Sequence, residues 1–312
     1  MAKFFNLFCC FIDMRVGELP IGRFPPLAVL PRNSSMISVL LAMGRHRVRH
    51  VPLIDEEGRL SGMVSARGVV DFLGGKRYDD IVLARFGGDV FRALESVSVD
   101  VVSYDPPFVY NDSDIREIIE LMIEHGLGAL AVVDRAQKVV GIVSERHVIS
   151  LLADINTHVK VKEVMSPEVV VAPPMGTLQY CMRVMSERRI RRVPLVSSEE
   201  LKGIVTIKDV LSYMSREETL SKLRSNKDAV YSTPLIYLAS KPVLTIEEEA
   251  DVGEAVSRMK RHGVGALVVT RGGKVSGILT ERDVLTRLPR VKGVEIFLDE
   301  TEKKIIGSRI SF

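Results

Sequence analysis

Cysteine is scarce in this chain of 312 residues, and the common signatures of catalytic and metal sites are missing. The three cysteines, Cys9, Cys10 and Cys181, have no metal-ligand spacing, which predicts a reduced, cytoplasmic setting and no metal site. The six histidines are scattered without ligand spacing as well. No GxxxxGKS/T loop, HExxH motif, GxSxG elbow or CxxC pair occurs, so the sequence gives no support to a P-loop NTPase, a zinc protease or a serine hydrolase.

Long apolar runs are missing too. The N-terminal stretch Phe4–Ile12 is apolar, but it is about half as long as the roughly 20 residues that span a bilayer, and it lacks a signal-peptide cleavage site. We interpret residues 1–13 as a tail that packs on the body of the protein, or as an extension that precedes a true start at Met14. Lipid attachment at Cys9 and Cys10 is a third, less favoured alternative, and no membrane partner is expected.

A strong net charge is absent as well, because 43 basic residues are nearly balanced by 40 acidic ones for a net charge of +3. Nucleic-acid binding is therefore not expected, since any polyanion site would have to come from local clustering. Asn and Gln together number only seven, which is typical of thermophilic proteins. With 46% hydrophobic residues, the chain is long enough for two or more cores and is expected to be soluble and globular.

Four copies of one short motif organise the rest of the sequence. Each copy reads as a glycine, a short buried strand, a Ser or Thr where the strand ends, a basic residue two positions later and a new helix. The copies are Gly62–Val69, Gly141–Val148, Gly203–Val210 and Gly277–Val284.

An amphipathic helix is predicted ahead of each motif, because apolar residues recur there at i, i+3, i+4 and i+7. The four quartets are Met36/Val39/Leu40/Met43, Ile115/Ile118/Ile119/Met122, Leu178/Cys181/Met182/Met185 and Val252/Ala255/Val256/Met259. From the first member of each quartet to the Ser or Thr, the offsets are 29, 29, 28 and 28 residues, so the register is kept.

Short apolar strands are predicted between each of these helices and the glycine, and each is expected to form a hairpin with the strand that follows. They are Val51–Ile54, Leu130–Val133, Val193–Val196 and Leu267–Val269. A strand upstream of the helix is clearest at Val169–Val171 and Pro242–Leu244. Each repeat is therefore predicted to be β-α-β-β-α.

Spacing predicts how the repeats associate. Units this small cannot bury both faces of a sheet alone. The Ser or Thr positions are 79, 62 and 74 residues apart, which predicts two modules of two repeats, each module with a long internal linker. The predicted repeats are residues 14–75, 95–154, 161–214 and 234–288. Residues 289–312 form a C-terminal tail whose alternating pattern, in Val291–Leu298 and Ile305–Ile306, favours an added strand or a segment that docks a partner.

These features resemble the CBS domain, with its β-α-β-β-α order and its TxxD sequence before the last helix. The sequence is similar to tandem CBS chains such as the γ subunit of AMP-activated protein kinase and related prokaryotic nucleotide sensors. That resemblance implies an α/β (α+β) fold of four CBS repeats in two pseudo-symmetric Bateman modules that form a disc. It also implies ligand sensing without catalysis, usually of AMP, ADP, ATP or S-adenosylmethionine, and the repeats leave no room for an enzyme domain.

The TxxD sequence has two interpretations. A Thr at the N-cap with an acid at N3 is a capping box, which satisfies backbone donors of the helix. A carboxylate there would also accept two hydrogen bonds from a ribose diol, beside basic residues suited to a phosphate. The residues alone leave these alternatives equally open.

The family resemblance assigns roles to particular residues. Asp209 and Asp283 would bind the ribose hydroxyls, Thr206 and Thr280 the ribose or α-phosphate, and Lys208 and Arg282 the phosphates. The residues expected around the adenine are Val169, Val170, Pro242, Val243, Gly265, Ala266, Arg191 and Arg192, of which the two arginines suggest anion contact or, alternatively, a solvated basic edge.

Repeats one and two depart from this pattern, because Gly68 and His147 occupy the acid position. Their clefts are expected to be empty, weaker or used differently. The basic residues expected to reach phosphates from this module are Arg49, His50, Arg67 and Arg146.

The sequence thus favours a regulatory protein, not an enzyme, that senses adenine nucleotides (AMP, ADP or ATP) chiefly in repeats three and four and transmits occupancy to a protein partner. No cofactor is expected, and a homodimer is left open. The alternatives are an S-adenosylmethionine sensor and a scaffold that binds its partner without a ligand.

Overall fold

The computed structural model describes residues 21–299. The predictions for the tail at residues 1–13, for Met14 as a start and for lipidation of Cys9 and Cys10 lie outside these residues, as does Ile305–Ile306.

All four predicted apolar quartets are buried on one face of a helix. Most of these helices begin at a side chain that accepts a hydrogen bond from a backbone N–H of the first turn, as Asp114, Thr177 and Asp251 do. The helices are α1 (Met36–His46), α5 (Ile115–Glu124), α8 (Leu178–Glu187) and α12 (Val252–His262).

The predicted hairpins are confirmed. Each pairs two antiparallel strands and carries one irregularity of register near its turn. The hairpins are β2 (His50–Ile54) with β3 (Leu60–Ser65), β6 (Ala129–Val133) with β7 (Val139–Ser144), β8 (Arg192–Ser197) with β9 (Glu200–Thr206), and β11 (Ala266–Arg271) with β12 (Lys274–Thr280). A helix follows each motif: α2 (Ala66–Gly74), α6 (Glu145–Ile149), α9 (Ile207–Met214) and α13 (Glu281–Lys292).

The upstream strands differ from the prediction. Val169–Val171 is not a strand, and only Ala172 forms a bridge there, to Leu195. In repeat four the strand begins at Thr245, after Pro242–Leu244. Prolines limit the pairing in both places, because they have no N–H to donate, and the valines line cavities instead. The upstream strands observed are β1 (Leu30–Pro31), β5 (Val109–Tyr110) and β10 (Thr245–Glu247), each parallel to its neighbour.

Pairing at the sheet edges joins repeats one and two, and repeats three and four. In each repeat, the second strand of the hairpin pairs with the chain segment that leads into the other repeat of the same module. These contacts are Arg23 with Ile142, β4 (Ser103–Tyr104) with β3, Ser240 with Ile204, and Ser166 with Ile278. Two modules of two repeats result.

Helices join the two modules. Helix α1 packs on α9 and α2 on α8, which places repeat one against repeat three, while α6 packs on α13 and places repeat two against repeat four. Each of the two hydrophobic cores is consequently shared between modules. Further helices are α3 (Ala84–Phe86), α4 (Val90–Ser96), α7 (Val161–Val164), α10 (Glu217–Ser225) and α11 (Lys227–Tyr231).

The described part of the C-terminal tail, up to residue 299, does not add a strand. Residues 295–299 are helical, and the adjacent residues Phe297 and Leu298 are both buried in the core of repeats two and four. A strand would point two adjacent side chains to opposite faces of a sheet, so a helical turn is the way to bury both in one core.

Candidate functional site

Three of the four motifs end in the same hydrogen-bonded arrangement. Asp209 Oδ2 accepts from Thr206 N–H at 2.9 Å and from Thr206 Oγ1 at 2.7 Å. Asp283 Oδ2 accepts from Thr280 N–H at 2.9 Å and from Thr280 Oγ1 at 2.6 Å. One carboxylate oxygen therefore completes the capping box, as that interpretation predicted, and the second oxygen takes no part in the cap.

His147 repeats this arrangement with an imidazole. Its Nδ1 lies 3.1 Å from Ser144 N and 3.3 Å from Ser144 Oγ. Since Ser144 N–H donates to Nδ1, the neutral ring carries its proton on Nε2. Burial lowers the pKa of His147, and Arg146 lowers it further, which favours the neutral ring.

Repeat one has no room for an acid. A Cβ built on Gly68 would lie 3.0 Å from the carbonyl oxygen of Val102 and 3.1 Å from its Cβ. Val102 lies just before β4, which covers the edge of β3. Val102 of the linker therefore occupies the space in which an acidic side chain at position 68 would lie.

The second oxygens of the two aspartates have different surroundings. Asp209 Oδ1 has Arg47 at 3.6 Å, an exposed side chain. Asp283 Oδ1 instead accepts from Ser166 Oγ at 2.9 Å and has Arg287 at 3.6 Å. Asp209 is the slightly more open of the two carboxylates, with a side chain 12% exposed against 9% for Asp283.

Each acid faces residues from the other repeat of its module. The Asp209 cleft, a cavity of about 170 Å³, combines repeat-three residues with the segment entering the strands of repeat four. Of the predicted site residues it contains Thr206, Lys208, Asp209, Pro242, Val243, Gly265, Ala266, Arg191, Arg192, Arg49 and Arg146.

The Asp283 cleft is a cavity of about 210 Å³ between the motif of repeat four and the corresponding segments of repeat three. It contains Thr280, Arg282, Asp283, Val169, Val170, Arg191, Arg192 and, from the other module, Arg67. The remaining predicted residue, His50, lines a third cavity of about 320 Å³ that also contains Ser144 and His147 and is named the His147 cleft.

The clefts meet at the middle of the protein. Arg47, Arg49, Arg146 and Lys208 line both the His147 and the Asp209 clefts. Arg191 and Arg192 line both the Asp209 and the Asp283 clefts. A negatively charged ligand in any cleft would therefore place its charge near cations from both modules.

The basic centre is defined as the shared cations Arg47, Arg49, Arg146, Arg191, Arg192 and Lys208. Two buried glutamates that the sequence reasoning missed hold several of its arginines. Glu281, 1% exposed, accepts from Arg49 at 2.6 Å and from Arg146 at 2.7 Å. Glu145, 0% exposed, accepts from Arg282 at 2.7 Å and from Arg191 at 3.1 Å.

These ion pairs connect residues of different modules. Burial by itself would raise the pKa of Glu281, but Arg49, Arg192 and Arg146 outweigh it and hold the pKa far below its usual range. The pKa of Glu145 is lowered in the same way, with Arg191 and Arg282 outweighing burial. Both carboxylates are thus ionised, and they neutralise only part of the surrounding positive charge.

An alternation in the sequence would have revealed these glutamates. Repeats two and four have Glu directly after the Ser or Thr, whereas repeats one and three have Ala66 and Ile207 there. Before the first hairpin strand, repeats one and three carry arginines where repeats two and four carry glycines. The glycines leave space: a Cβ on Gly265 would lie 2.6 Å from Arg192 Nη2 and 2.7 Å from Glu281 Oε1.

Arg191 and Arg192 do not form a solvated edge. Their side chains are only 11% and 10% exposed, and Arg192 donates to the carbonyl oxygen of Gly265 at 2.7 Å. Burial lowers the pKa of Arg192 to about 9 against the opposing effect of Glu281. The space beside Gly265, one of the residues expected around the adenine, is largely taken by Arg192 and Glu281.

Lys208 differs from the neighbouring arginines. Between residues 21 and 299 its ammonium group has no ion pair or hydrogen bond, whereas Arg146 and Arg282 at the equivalent position each donate to a buried glutamate. Burial, Arg49 and Arg146 lower the pKa of Lys208 to about 8.

Within the described part of the chain, no three His, Cys, Asp or Glu side chains are grouped to hold a metal ion. The helices from residue 21 to residue 299 also include none with the length and apolar character needed to cross a bilayer.

Comparison with known proteins agrees with this architecture. The sequence matches the CBS domain over residues 16–75, 97–154, 161–216 and 236–290. The chain belongs to the CBS domain family. This CBS chain is 68% identical over 300 residues to an uncharacterized 33.4 kDa protein in the ribosomal RNA operon of Thermofilum pendens. The alignment covers 96% of this chain and 100% of that relative.

Solved structures share the arrangement of four CBS repeats. Protein MJ1225 from Methanocaldococcus jannaschii, which has been proposed as an archaeal homologue of g-AMPK, superposes with a TM-score of 0.78 at 22% identity, over 87% of this CBS chain and 99% of that chain. A conserved protein from Pyrococcus horikoshii superposes with a TM-score of 0.55 at 21% identity, over 88% and 100%. At these identities the likeness shows the fold, which confirms the predicted α/β fold of four CBS repeats.

Proposed function

We propose that this CBS chain is a regulatory protein that binds an adenine nucleotide (AMP, ADP or ATP) in the Asp209 and Asp283 clefts. The observation that carries the proposal is the position of Asp209. Asp209 lines a cavity whose walls also include the apolar Pro242 and Val243 and the basic centre. A diol acceptor, an apolar wall for a base and cations for phosphates thus lie around one cavity.

Lys208 provides a second argument. A half-buried cation with no ion pair among the described residues is costly, and a phosphate would supply a counter-charge. The arginines of the centre are held in place by Glu145 and Glu281, so they are oriented for phosphate before a ligand arrives. S-adenosylmethionine has no phosphate and carries a sulfonium cation, so this centre favours nucleotides over it.

Occupancy would reach a partner through the contacts between modules. The cations near the Asp209 cleft come from both modules, and the helices that follow the motifs form the cores that join the modules. A bound phosphate would therefore compete with Glu281 for Arg49 and Arg146. We infer that the resulting change in packing alters the surface presented to a protein partner.

Titration calorimetry with AMP, ADP, ATP and S-adenosylmethionine tests this function. Asp209→Ala is expected to weaken nucleotide binding by tenfold or more, because one charge-assisted hydrogen bond is worth about 1.5–3 kcal/mol and about 1.4 kcal/mol is a decade. Asp114→Ala is the matched control, since Asp114 caps α5 but lies outside the three clefts. It should cost about 1 kcal/mol of helix-cap stability and leave affinity unchanged.

Failure of all three nucleotides to bind at millimolar concentration would refute the proposal. Binding that survives both Asp209→Ala and Asp283→Ala at full strength would refute the role of the acids. If S-adenosylmethionine alone binds, the chain senses that ligand instead, and if nothing binds while a partner does, it is a scaffold.

A further inference from the structure

The His147 cleft is the largest of the three cavities, at about 320 Å³, and its chemistry is unlike that of the other two. Its wall includes the apolar residues Pro26, Leu27 and Ala28, from the chain that leads into repeat one. No Asp or Glu is among the residues of the range 21–299 that line it, whereas the other two clefts contain Asp209 and Asp283. The cationic residues that line it are Arg23, Arg47, Arg49, Arg146 and Lys208.

The hydrogen-bonding role of the acid position is reversed in this cleft. In repeats three and four, one carboxylate oxygen caps the helix and the other is an acceptor. In repeat two, His147 Nδ1 does the capping, so the remaining polar atom, Nε2, carries a proton and is a donor. A carboxylate can accept two hydrogen bonds from a ribose diol, which this N–H cannot do, whereas a phosphate oxygen accepts a hydrogen bond from the N–H.

Cations flank the imidazole on two sides. Arg146 is the next residue back along α6, and Arg23 comes from the chain that pairs with Ile142 of β7. Both lie near enough to lower the pKa of His147, after burial, which is the largest cause. Arg23 is exposed and lines the cleft, which places a cation beside His147.

We propose that the His147 cleft binds a ligand with two phosphate groups. One phosphate is directed to the basic centre, and the other is held by His147 and Arg23. This second position corresponds to the one proposed for the ribose diol in the other clefts. The shared chemistry is a pair of separated phosphates. A nucleoside 3′,5′-bisphosphate offers it together with a base for the Pro26–Ala28 wall, and an inorganic polyphosphate offers it without a base. This site does not depend on nucleotide binding in the Asp209 cleft.

The test uses the full chain carrying Asp209→Ala and Asp283→Ala, which removes the diol acceptors of the other clefts. Titration calorimetry compares adenosine 3′,5′-bisphosphate, inorganic tripolyphosphate, AMP and adenosine. The bisphosphate is expected to bind at least tenfold more tightly than AMP, and adenosine should show no binding. Tripolyphosphate binding as tight as that of the bisphosphate would identify a polyphosphate as the source of the two phosphates.

His147→Asp makes the decisive variant. It changes Ser-Glu-Arg-His in repeat two to Ser-Glu-Arg-Asp, which matches Thr280-Glu-Arg-Asp283 of repeat four except for the hydroxyl residue. In the same background this change should weaken the bisphosphate by tenfold or more and strengthen AMP, because a donor becomes an acceptor. Arg23→Gln should weaken the bisphosphate without strengthening AMP, and it serves if His147→Asp does not fold.

The proposal is wrong if the bisphosphate and tripolyphosphate both fail to bind the background variant. It is also wrong if AMP binds that variant as tightly as the bisphosphate, or if both His147→Asp and Arg23→Gln leave bisphosphate affinity unchanged. AMP binding that is seen in the wild-type chain and lost in the background variant tests nucleotide binding in the Asp209 and Asp283 clefts and not the His147 cleft. The two proposals can therefore fail separately.

Discussion

Replacing Glu281 by Gln should destabilise the protein strongly, because it removes the charge that holds the basic centre together. Glu281 is 1% exposed and accepts at 2.6 Å from Arg49 and at 2.7 Å from Arg146, with Arg192 at 3.7 Å. Arg49 and Arg192 are themselves only 11% and 10% exposed, so water cannot replace the lost carboxylate. Removing one partner of a buried ion pair typically costs about 3–5 kcal/mol, and we expect that range here.

The assay is equilibrium unfolding in urea, with the free energy of unfolding compared at neutral pH. Glu218→Gln is the control, since Glu218 is exposed and contacts Lys222 at 2.6 Å on one helix face. An exposed pair of this kind is worth about 0.3–0.5 kcal/mol. If Glu281→Gln costs no more than Glu218→Gln, the buried carboxylate does not stabilise the contact between modules and the reasoning is wrong.

The same carboxylate predicts a pH dependence with a definite sign. Because the folded pKa of Glu281 lies far below its usual 4.5, the ionised group contributes stability that is complete above pH 4.5 and is lost as the pH falls below it. The wild-type chain should therefore lose stability more steeply below pH 4.5 than Glu281→Gln does. Equal slopes for the two proteins would contradict the assignment.

Three further predictions test the clefts and the core. Because the pKa of Lys208 is lowered to about 8, nucleotide affinity should fall as the pH rises from 7 to 9, and Lys208→Arg should abolish that fall in titration calorimetry. Gly68→Asp should lower thermal stability and add no AMP site, because Val102 fills the space beside Gly68, and a new AMP site in calorimetry would contradict this. Phe72→Ala should cost about 3–5 kcal/mol in urea unfolding, because Phe72 is fully buried in the core that repeats one and three share. A cost below about 1 kcal/mol would show that this core can collapse around the missing ring.

The repeat pattern was readable from sequence because it depends on local periodicity. The quartet of α5, for example, is spaced for one helix face, and all four of its residues are buried as predicted. Strand pairing within each hairpin is local in the same sense, and it was predicted correctly. The upstream strand at Val169–Val171 was not, because whether a short apolar run joins a sheet depends on what the rest of the fold places beside it.

The candidate site was likewise predictable where it depends on local sequence and not where it depends on distant contacts. The sequence by itself determined the capping pair Thr206 and Asp209, the adjacent cation Lys208, and the departures at His147 and Gly68. Only the tertiary structure decided that Glu145 and Glu281 neutralise arginines from the other module, and that Lys208 has no such partner in the part of the chain that the structure describes. The physical reason is distance along the chain, since Arg49 and Glu281 are 232 residues apart and no local pattern records their contact.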